Sequence, residues 1–518
     1  MPLPDKGAPW PPIDPAVRSD IDDWSAWYSA NPDRLAHRYL NRHRDNSRYG
    51  QPLNRPSQYR GGLVGTVSRW FWGEPTPTGE KRANLHMPLA RDLARTSSDL
   101  LFSEPPKLIT DDTGTRDRLE QLMEDGLRRT LLAQAEVTAA LGGAYLRIVW
   151  DREISERPWI SMVRADGAAP TIVHERLRGV TFWTVVGVDG QKVIRHLERH
   201  EPGVILHGVY EGTEDNLGKP IDLKAFEETK RFLPSQDLPI GKRLATSYIP
   251  NTMTAPDWHD LPGAAGLGTS DFQGSETFLS GIDEAYTSWM RDVRLARSRI
   301  LVPSGYLQSM GAGKGVAWED REVFAEMNIP PTSDHQITLN QFAIRWMEHK
   351  ETIADLTRKI IHTAGYSGGT FGEDEGGTAT TATEIKARTA RSMTTRARKS
   401  ELEAVGIADI TETLLMLEAS ALFPGLPTVK VERPKVQFAD SVQDDVKTLA
   451  ETAELLRRAE AASTEVIVAL VNPDMDADDQ AAEVRRIQKE SGRDVADPTA
   501  TGAEGPGTTP RPKAPAAE

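Results

Sequence analysis

The chain has 518 residues, no cysteine and a formal net charge of −14 at pH 7. This length predicts two to four folded units, since domains usually have roughly 100–200 residues. The lack of cysteine excludes disulfide scaffolds, thiol nucleophiles and cysteine-based zinc sites, and the acidic balance argues against a general nucleic-acid coat, though not against a local basic strip.

Both ends of the chain are polar. The N-terminal sequence MPLPDKGAPWPPIDPAV lacks the apolar core of a secretory signal, and no run of about 18 apolar residues occurs anywhere. We therefore expect neither a signal peptide nor a transmembrane helix. Residues 491–518 are rich in Pro, Gly, Ala and Thr and predict a disordered tail.

The first half of the chain changes from helical to strand-like periodicity. Apolar residues at helical spacing predict helices within residues 15–50, at 84–102 and at 116–141. Short β-branched and aromatic segments separated by glycine turns then predict an antiparallel meander at 159–211. Residues 212–268 have an irregular, loop-rich pattern.

A long amphipathic helix is predicted at 275–298. Its apolar positions follow a 3,4 spacing typical of a helix that packs beside similar helices. The predicted packing seam consists of Leu279, Ile282, Tyr286, Trp289, Val293, Ala296 and Ile300.

The second half alternates long helices with short interruptions. After Pro303 the pattern predicts a compact excursion at 304–340, a helix at about 341–364 and a longer helix at about 381–422. The segment TVKVERPKVQF is typical of strands, and residues 441–490 have helical patterns again.

Between the last two long helices lies the sequence YSGGTFGEDEGGTATTATE. It is nearly free of large apolar side chains, and its glycines permit mobility. We predict a soft, acidic loop at 366–381. Its candidate functional residues are Gly368, Gly369, Thr370, Phe371, Glu373, Asp374, Glu375, Gly376 and Gly377.

The helix after this loop begins with a concentrated basic strip. Its cations are Lys386, Arg388, Arg391, Arg396, Arg398 and Lys399. Such a strip can be a solvated face, a contact with an acidic neighbouring subunit, or a contact with a phosphate backbone. Spacing alone does not decide between these interpretations.

Three other stretches resemble chemical sites only in part. The segment GAGKG at 311–315 lacks both the first glycine and the hydroxyl residue of a phosphate loop, which favours a flexible hairpin tip. His196, His200 and His207 lie in a strand-like stretch, and we interpret them as surface histidines rather than metal ligands. The run DMDADD lacks the glycine and glutamate of a calcium loop and is typical of a helix start.

No nucleophile elbow, dinucleotide fingerprint or paired-carboxylate signature accompanies these stretches. We therefore expect no catalytic site, no cofactor and no metal.

The order of these segments resembles the portal proteins of tailed bacteriophages, especially the siphophage type. The resemblance rests on NLHMPLARDLARTSSDLLFSEPP, ALGGAYLRIVWD, GTSDFQGSETFLSGIDEAYTSWMRDVRLARSRILVP and TATEIKARTARSMTTRARKSELE, and it covers about residues 80–490.

That resemblance implies an α+β, mainly helical fold with wing, stem, clip and crown regions, assembled as a ring around a channel. It places the wing at 1–265, stem helices at 266–303 and 341–365, and the clip at 304–340. The tunnel loop falls at 366–381, a long wing helix and strand at 382–434, and the crown at 435–490.

The resemblance also implies partners and a location. The ring, usually of twelve copies, would pass double-stranded DNA without reading its sequence. Its other partners would be the terminase large subunit, a head–tail adaptor, and the major capsid and scaffolding proteins. It would occupy one vertex of the virion capsid after assembly in the host cytoplasm, without contact with a membrane.

Two alternatives stay open. A capsid adaptor that forms no channel would be a monomer or small oligomer without a central hole, and it does not need two long helices flanking a glycine-rich loop. A nucleotide-binding enzyme would have to use GAGKG.

Overall fold

The computed structural model describes residues 3–35, 38, 85–253, 255–261, 263–295, 299–303, 324–327, 338–340, 344–372, 382–426, 429–438, 446–472, 475 and 477–490. The chain forms two compact units, Met1–Ala439 and Asp440–Glu518. Helices exceed strands, so the predicted α+β, mainly helical class is confirmed. Among the described residues, no helix is long and apolar enough to cross a membrane.

The described residues in the N-terminal third of the first unit include the helices α1 (Pro15–Ser29), α2 (Leu89–Phe102), α3 (Thr113–Leu122) and α4 (Arg128–Leu141). The sequence predicts one helix over 116–141, but a π-helical turn at Met123–Leu127 separates α3 from α4. Gly126 adopts φ of 132° there, which a residue with a Cβ rarely tolerates. The predicted helix is therefore broken at the one residue that permits the break.

The meander predicted at 159–211 is confirmed from Ala168 onward, but its first segment, Trp159–Arg164, pairs with Gly143–Val149 in another sheet. Strands β4 (Ala168–Val173), β5 (Arg176–Asp189), β6 (Lys192–Glu201), β7 (Val204–Gly212) and β8 (Lys219–Ile221) pair in chain order, each antiparallel to the next. The short strand β9 (Ser235–Asp237) pairs with β7 on the same side of the sheet as β8.

A second sheet joins the meander to the helices. It has the order β10 (Thr246–Pro250), β2 (Gly143–Val149), β3 (Trp159–Arg164), all antiparallel. Near the end of the first unit, β14 (Lys435–Gln437) pairs antiparallel with β1 (Lys107–Ile109), the strand that follows α2. The strand predicted within TVKVERPKVQF is thus confirmed at its C-terminal end.

Three long helices follow the second sheet: α5 (Glu276–Leu295), α6 (Trp346–Thr363) and α7 (Ala382–Glu418). The described parts of the excursion between α5 and α6 are three strands, β11 (Arg299–Pro303), β12 (Phe324–Met327) and β13 (Thr338–Asn340). Strand β11 pairs parallel with β12 and antiparallel with β13.

The two largest apolar cores of the described residues both include side chains of α4, which lies between them. One core contains Trp24, Leu93 and Phe272 together with the inner ends of α5 and α6. The other contains Leu131 of α4 and Ile407 of α7, which is fully buried. The C-terminal half of α7 is therefore a core helix of the first unit.

The described residues of the second unit form three shorter helices, α8 (Val446–Arg458), α9 (Thr464–Val471) and α10 (Ala477–Glu490). Ser463 caps α9 by accepting a hydrogen bond from the Val466 amide. Helix α10 begins within the acidic run DMDADD, as predicted for a helix start.

Candidate functional site at the helix hairpin

Helices α5 and α6 pack antiparallel and form a hairpin, the name used below for this pair. The inner end is marked by Gly281, whose Cα faces Leu356. Further out, the Trp289 ring stacks on His349 with centroids 6.1 Å apart. At the outer end, Arg345 donates two hydrogen bonds to Asp292.

The inner half of the predicted seam packs against side chains of the same chain. Leu279 and Ile282 are buried in the first core, and Tyr286 packs against them. The core around them is formed by the same chain and includes Ile360 and Ile361 of α6, whereas the sequence pattern predicts similar helices side by side. An amphipathic pattern shows that a face is covered but not which helix covers it.

The outer half of the seam differs from the prediction. Val293 is 39% exposed, and Ala296 lies outside the described residues. The prediction for Ile300 is wrong, because α5 ends at Leu295 and Ile300 pairs with Phe324 in strand β11. The β-branched segment RILVP favours a strand over a continued helix.

The first part of the predicted loop is ordered on the long helix. Gly368–Phe371 form a short 3-10 turn, and Phe371 contacts the Tyr366 ring edge-on at 6.0 Å. Thr370 Oγ1 lies 2.7 Å from Ser392 Oγ of α7. The role of Gly368, Gly369, Thr370 and Phe371 in a channel loop stays a prediction. Glu373, Asp374, Glu375, Gly376 and Gly377 lie outside the described residues.

At the inner end of the hairpin, the segment before α5 and the segment after α6 meet at one buried lysine. The Lys399 ammonium of α7 donates to Asp271 Oδ1 at 2.7 Å and Oδ2 at 2.6 Å. It also donates to the Tyr366 hydroxyl at 2.9 Å and to Ser97 Oγ at 2.7 Å. We call Asp271, Lys399, Tyr366 and Ser97 the anchor cluster.

Further contacts fix Asp271. The Tyr366 hydroxyl donates to Oδ2 at 2.7 Å, and the Asn251 side-chain amide donates to Oδ1 at 2.7 Å. The Asp271 backbone amide donates to the Ala139 carbonyl at the end of α4. Since Asp271 precedes α5 and Tyr366 follows α6, the anchor cluster joins the inner end of the hairpin to α2, α4 and α7.

Burial dominates the electrostatics of this cluster. It lowers the pKa of Lys399, although the Asp271 carboxylate opposes that change. Burial and the charge of Asp271 both raise the pKa of Tyr366 well above its usual value, so its hydroxyl stays protonated and donates. The result is a fully desolvated ion pair whose polar atoms all have partners.

One turn further along α7, Glu403 is a buried carboxyl of a different kind. Its Oε1 accepts from Gln134 at 3.1 Å, but its buried Oε2 has no hydrogen-bond partner. Burial raises its pKa to about 7, while the Gln134 hydrogen bond and the Lys399 charge act in the opposite direction. Glu403 therefore changes charge near neutral pH.

The basic strip does not form one exposed surface. The prediction of a DNA or subunit contact is wrong for Lys399, because its side chain is 6% exposed and surrounded by the anchor cluster. Arg396 Nε donates to the Leu100 carbonyl at 2.6 Å, and Arg391 donates to the His362 carbonyl at 2.8 Å. Both therefore join α7 to its own chain.

Arg398 is exposed, and the side chains of Lys386 and Arg388 lie outside the described residues. For these three cations the choice between DNA, a neighbouring subunit and solvent stays a prediction.

The partners of Lys399 were missed by sequence reasoning. Asp271 and Ser97 lie 128 and 302 residues away from it in the chain. One signal was available: a lysine whose helix continues into a fully apolar face at Ile407, Ile410 and Leu414 can itself face the core. A charge at such a position requires a buried counter-charge.

The prediction of surface histidines is wrong. His196 and His207 are each 7% exposed and His200 is fully buried, because the meander packs this face against the second sheet. His196 Nε2 lies 3.2 Å from His207 Nδ1, and both rings stack on Phe232. Burial lowers the pKa of His207 to about 4.

Glu198 completes this polar cluster. Burial alone would raise its pKa, but the hydrogen bond from His200 and the charges of His200 and Arg147 lower it to about 2. Within the described residues, no group of three or more His, Cys, Asp or Glu side chains is placed to hold a metal ion. The segment GAGKG lies outside those residues.

No protein-family model matches the chain, and no curated protein matches it. Among solved structures, a chain in the neck of a native GTA particle, computed with C12 symmetry, is 15% identical at a TM-score of 0.37. That similarity covers 82% of this chain and 95% of the other. A chain in the neck of an empty GTA particle, computed with C6 symmetry, is 16% identical at a TM-score of 0.39, covering 81% and 95%.

Proposed function

We propose that this chain is the portal subunit of a tailed-phage-like particle. Copies of it form a ring at one capsid vertex, and double-stranded DNA passes through the central channel. The role is structural, without an active site or cofactor of its own.

The observation that carries the proposal is the order and packing of the three long helices. A hairpin of 20-residue α5 and 18-residue α6 is followed by a segment that returns onto the 37-residue α7. This is the order that the resemblance assigns to stem, tunnel loop and wing helix. An adaptor without a channel does not require such an arrangement.

The outer end of the hairpin supports assembly with other chains. Its apolar side chains are exposed by 37–58%, although buried partners cover the inner end. The exposed residues are Met290, Val293, Ile344, Trp346 and Met347. In a ring, neighbouring hairpins would cover this surface.

The negative charge of the chain supports a channel that DNA passes through without being bound. With a net charge of −14, a ring would repel phosphates over most of its surface. The residues Glu373, Asp374 and Glu375, within the predicted tunnel loop, would add to this repulsion in the channel. The excursion at 304–340 is the proposed docking surface for terminase and the head–tail adaptor.

The test is the oligomeric state of the purified full chain, measured by negative-stain microscopy and light scattering. We expect rings with a central hole and a mass near twelve subunits. The double variant Trp346→Ser, Met347→Ser should shift the mass toward the monomer without changing far-ultraviolet circular dichroism. A matched variant on the exposed face away from the hairpin, Leu233→Ser, should assemble normally.

Scaffolding and capsid protein provide the decisive second condition. A chain that stays monomeric in their presence contradicts the portal proposal and favours the adaptor. If rings form, the triple variant Glu373→Gln, Asp374→Asn, Glu375→Gln should assemble normally but slow DNA packaging.

A further inference from the structure

Among the described strands, most edges of the meander and of the second sheet are protected against further pairing. Strand β4 carries Pro170 and a register shift after Thr171, and β8 and β9 have only three residues each. Proline, an irregular register and shortness all hinder the addition of another strand. On the second sheet, α7 covers β10 so closely that a Cβ on Gly406 would lie 2.4 Å from Ile249.

Strand β3 has none of these protections. Its sequence, WISMVR, contains no proline and carries a charge only at its last residue, Arg164. All six of its residues pair in continuous register with β2, which is its only strand partner among the described residues. The other side of β3 is therefore an open edge, the kind of edge to which an extended chain can add.

The hydrogen bonds of β2 show which groups of β3 lie on the open edge. The Ile148 amide donates to the Ala245 carbonyl, on the β10 side, and Ile148 lies opposite Ile160. In an antiparallel pair, the main-chain groups of two opposite residues either face each other or both point away. The amide and carbonyl of Ile160, and those of Met162 two residues later, therefore point away from β2.

A groove of about 500 Å³ lies beside the open edge. Four residues of β3 line it, over about 13 Å at the rise of a strand, and the π-helical turn and the start of α4 form its other wall. Apolar side chains of Leu122, Leu127 and Ile160 contribute to the lining, and Asp125 and Arg129 contribute one charge of each sign. The groove thus combines unpaired main-chain groups with an apolar surface and two opposite charges.

The two charges lie toward different ends of the strand. The Arg118 guanidinium donates to the Pro158 carbonyl, just before β3, at 3.5 Å and lies 4.0 Å from Asp125 Oδ2. Asp125 is therefore near the start of β3. Helix α4 then continues to the turn Ala165–Gly167 that follows β3, which places Arg129 further toward the end of the strand.

We propose that the open edge of β3 binds an extended peptide segment of a partner protein, which adds to the second sheet as an antiparallel fourth strand. Its main chain pairs with Ile160 and Met162, and an apolar side chain contacts the lining of the groove. Because the peptide runs opposite to β3, an acidic residue at its N-terminal end faces Arg129. A basic residue at its C-terminal end faces Asp125.

An extended peptide fits these observations because it presents amides and carbonyls at the spacing of the edge groups. A helix has already paired its own main-chain groups and cannot supply them. The binding does not depend on the proposed portal function, since it can be measured on the purified full chain whether or not rings form.

The probe is the capped peptide Glu-Thr-Val-Thr-Lys, in which Glu, Val and Lys share one face of the strand. The readout is hydrogen exchange of the full chain, resolved by residue with fragmentation mass spectrometry. We expect the Ile160 and Met162 amides to exchange rapidly in the free chain and at least about tenfold more slowly in excess peptide. Unchanged exchange in excess peptide would overturn the proposal. So would slow exchange in the free chain, because the chain itself or a second copy would then already fill the edge.

A modified peptide tests whether the main chain makes the contact. Methylation of the valine nitrogen removes an amide hydrogen that an added strand needs, while the side chains stay the same. This peptide should leave the exchange of Ile160 and Met162 unchanged. Equal protection by both peptides would contradict strand addition.

A pair of protein variants tests the assigned direction of the peptide. Arg129→Glu replaces an attraction for the peptide glutamate by a repulsion, and should weaken binding of a fluorescent form of the peptide by about threefold or more, measured by anisotropy. Arg128→Glu makes the same change at an exposed neighbour that does not line the groove, and should leave the affinity unchanged. Equal effects of the two variants would overturn the proposed placement of the peptide.

Discussion

The two ends of the hairpin carry the same kind of interaction in opposite surroundings. At the inner end, Asp271 pairs with Lys399, and both side chains are nearly inaccessible to water. At the outer end, Asp292 pairs with Arg345, whose side chain is 65% exposed, and with His349. An ion pair that is lost inside the fold leaves an unpaired buried charge, whereas one at the surface is replaced by water. The comparison therefore predicts that the buried ion pair holds the inner end rigidly, whereas the outer end can adjust its contacts.

The largest effect should come from Lys399→Met. It leaves Asp271 buried without its counter-charge, which typically lowers the free energy of unfolding by about 3–5 kcal/mol. Urea unfolding followed by circular dichroism measures this loss. The neighbouring Arg398→Met removes the same charge from an exposed position and should cost less than about 0.5 kcal/mol. Equal losses in the two variants would remove the distinction between the ends.

Glu403→Gln should show how much the buried Glu403 carboxyl contributes to the pH dependence of the unfolding free energy. Burial raises the pKa of Glu403 from 4.5 to about 7, so the folded state keeps a proton that the unfolded state releases. The stability of the natural chain therefore falls as pH rises from 4.5 to 7. One pKa unit corresponds to about 1.4 kcal/mol, so the fall is about 3 kcal/mol.

The Gln variant lacks this titration. We expect its unfolding free energy, relative to the natural chain, to rise by about 3 kcal/mol between pH 4.5 and pH 8, measured by urea unfolding at both values. Lys399, Asp271 and Tyr366 are the other ionisable groups nearby, and they are present in both chains. A constant difference between the two chains would contradict the assigned pKa.

Two glycine variants sharpen the comparison in the segment that follows α6. Gly365→Ala and Gly372→Ala both place a Cβ at positive φ, which costs roughly 1 kcal/mol. Only Gly365→Ala also crowds Thr395 Oγ1, so its unfolding free energy should fall by about a further 1 kcal/mol. The double variant Gly365→Ala, Thr395→Ser tests the cause: since Ser keeps the hydroxyl, the loss should remain.

The periodic parts of this fold could be predicted from the sequence. The 3,4 spacing from Leu279 to Trp289 predicts α5, and glycine turns between β-branched segments predict the meander. Both signals are local, because each shows only which face of a single helix or strand is apolar and therefore buried.

The anchor cluster could not be predicted in this way. Lys399 stands among arginines in a polar stretch, and its partner Asp271 is 128 residues away. His196 and His207 mislead for the same reason, since their burial depends on Phe232 and on the second sheet. The sequence shows that a side chain is polar, but only the tertiary fold shows whether water or a counter-charge surrounds it.

The smallest effect should come from Arg345→Met at the outer end. The pair with Asp292 is exposed, so its loss should lower the unfolding free energy by less than about 1 kcal/mol. His349 Nε2 donates to the same carboxylate oxygen at 3.0 Å and retains part of the interaction. The difference should also shrink when 1 M NaCl screens the pair, since the screening length is then about 3 Å. Lys399→Met, whose pair is shielded from ions, should keep its full loss in the same salt. A large, salt-independent loss of unfolding free energy in Arg345→Met would mean that the outer end is as rigidly fixed as the inner end. The exposed apolar residues around Arg345 would then not form an adaptable surface for a neighbouring chain.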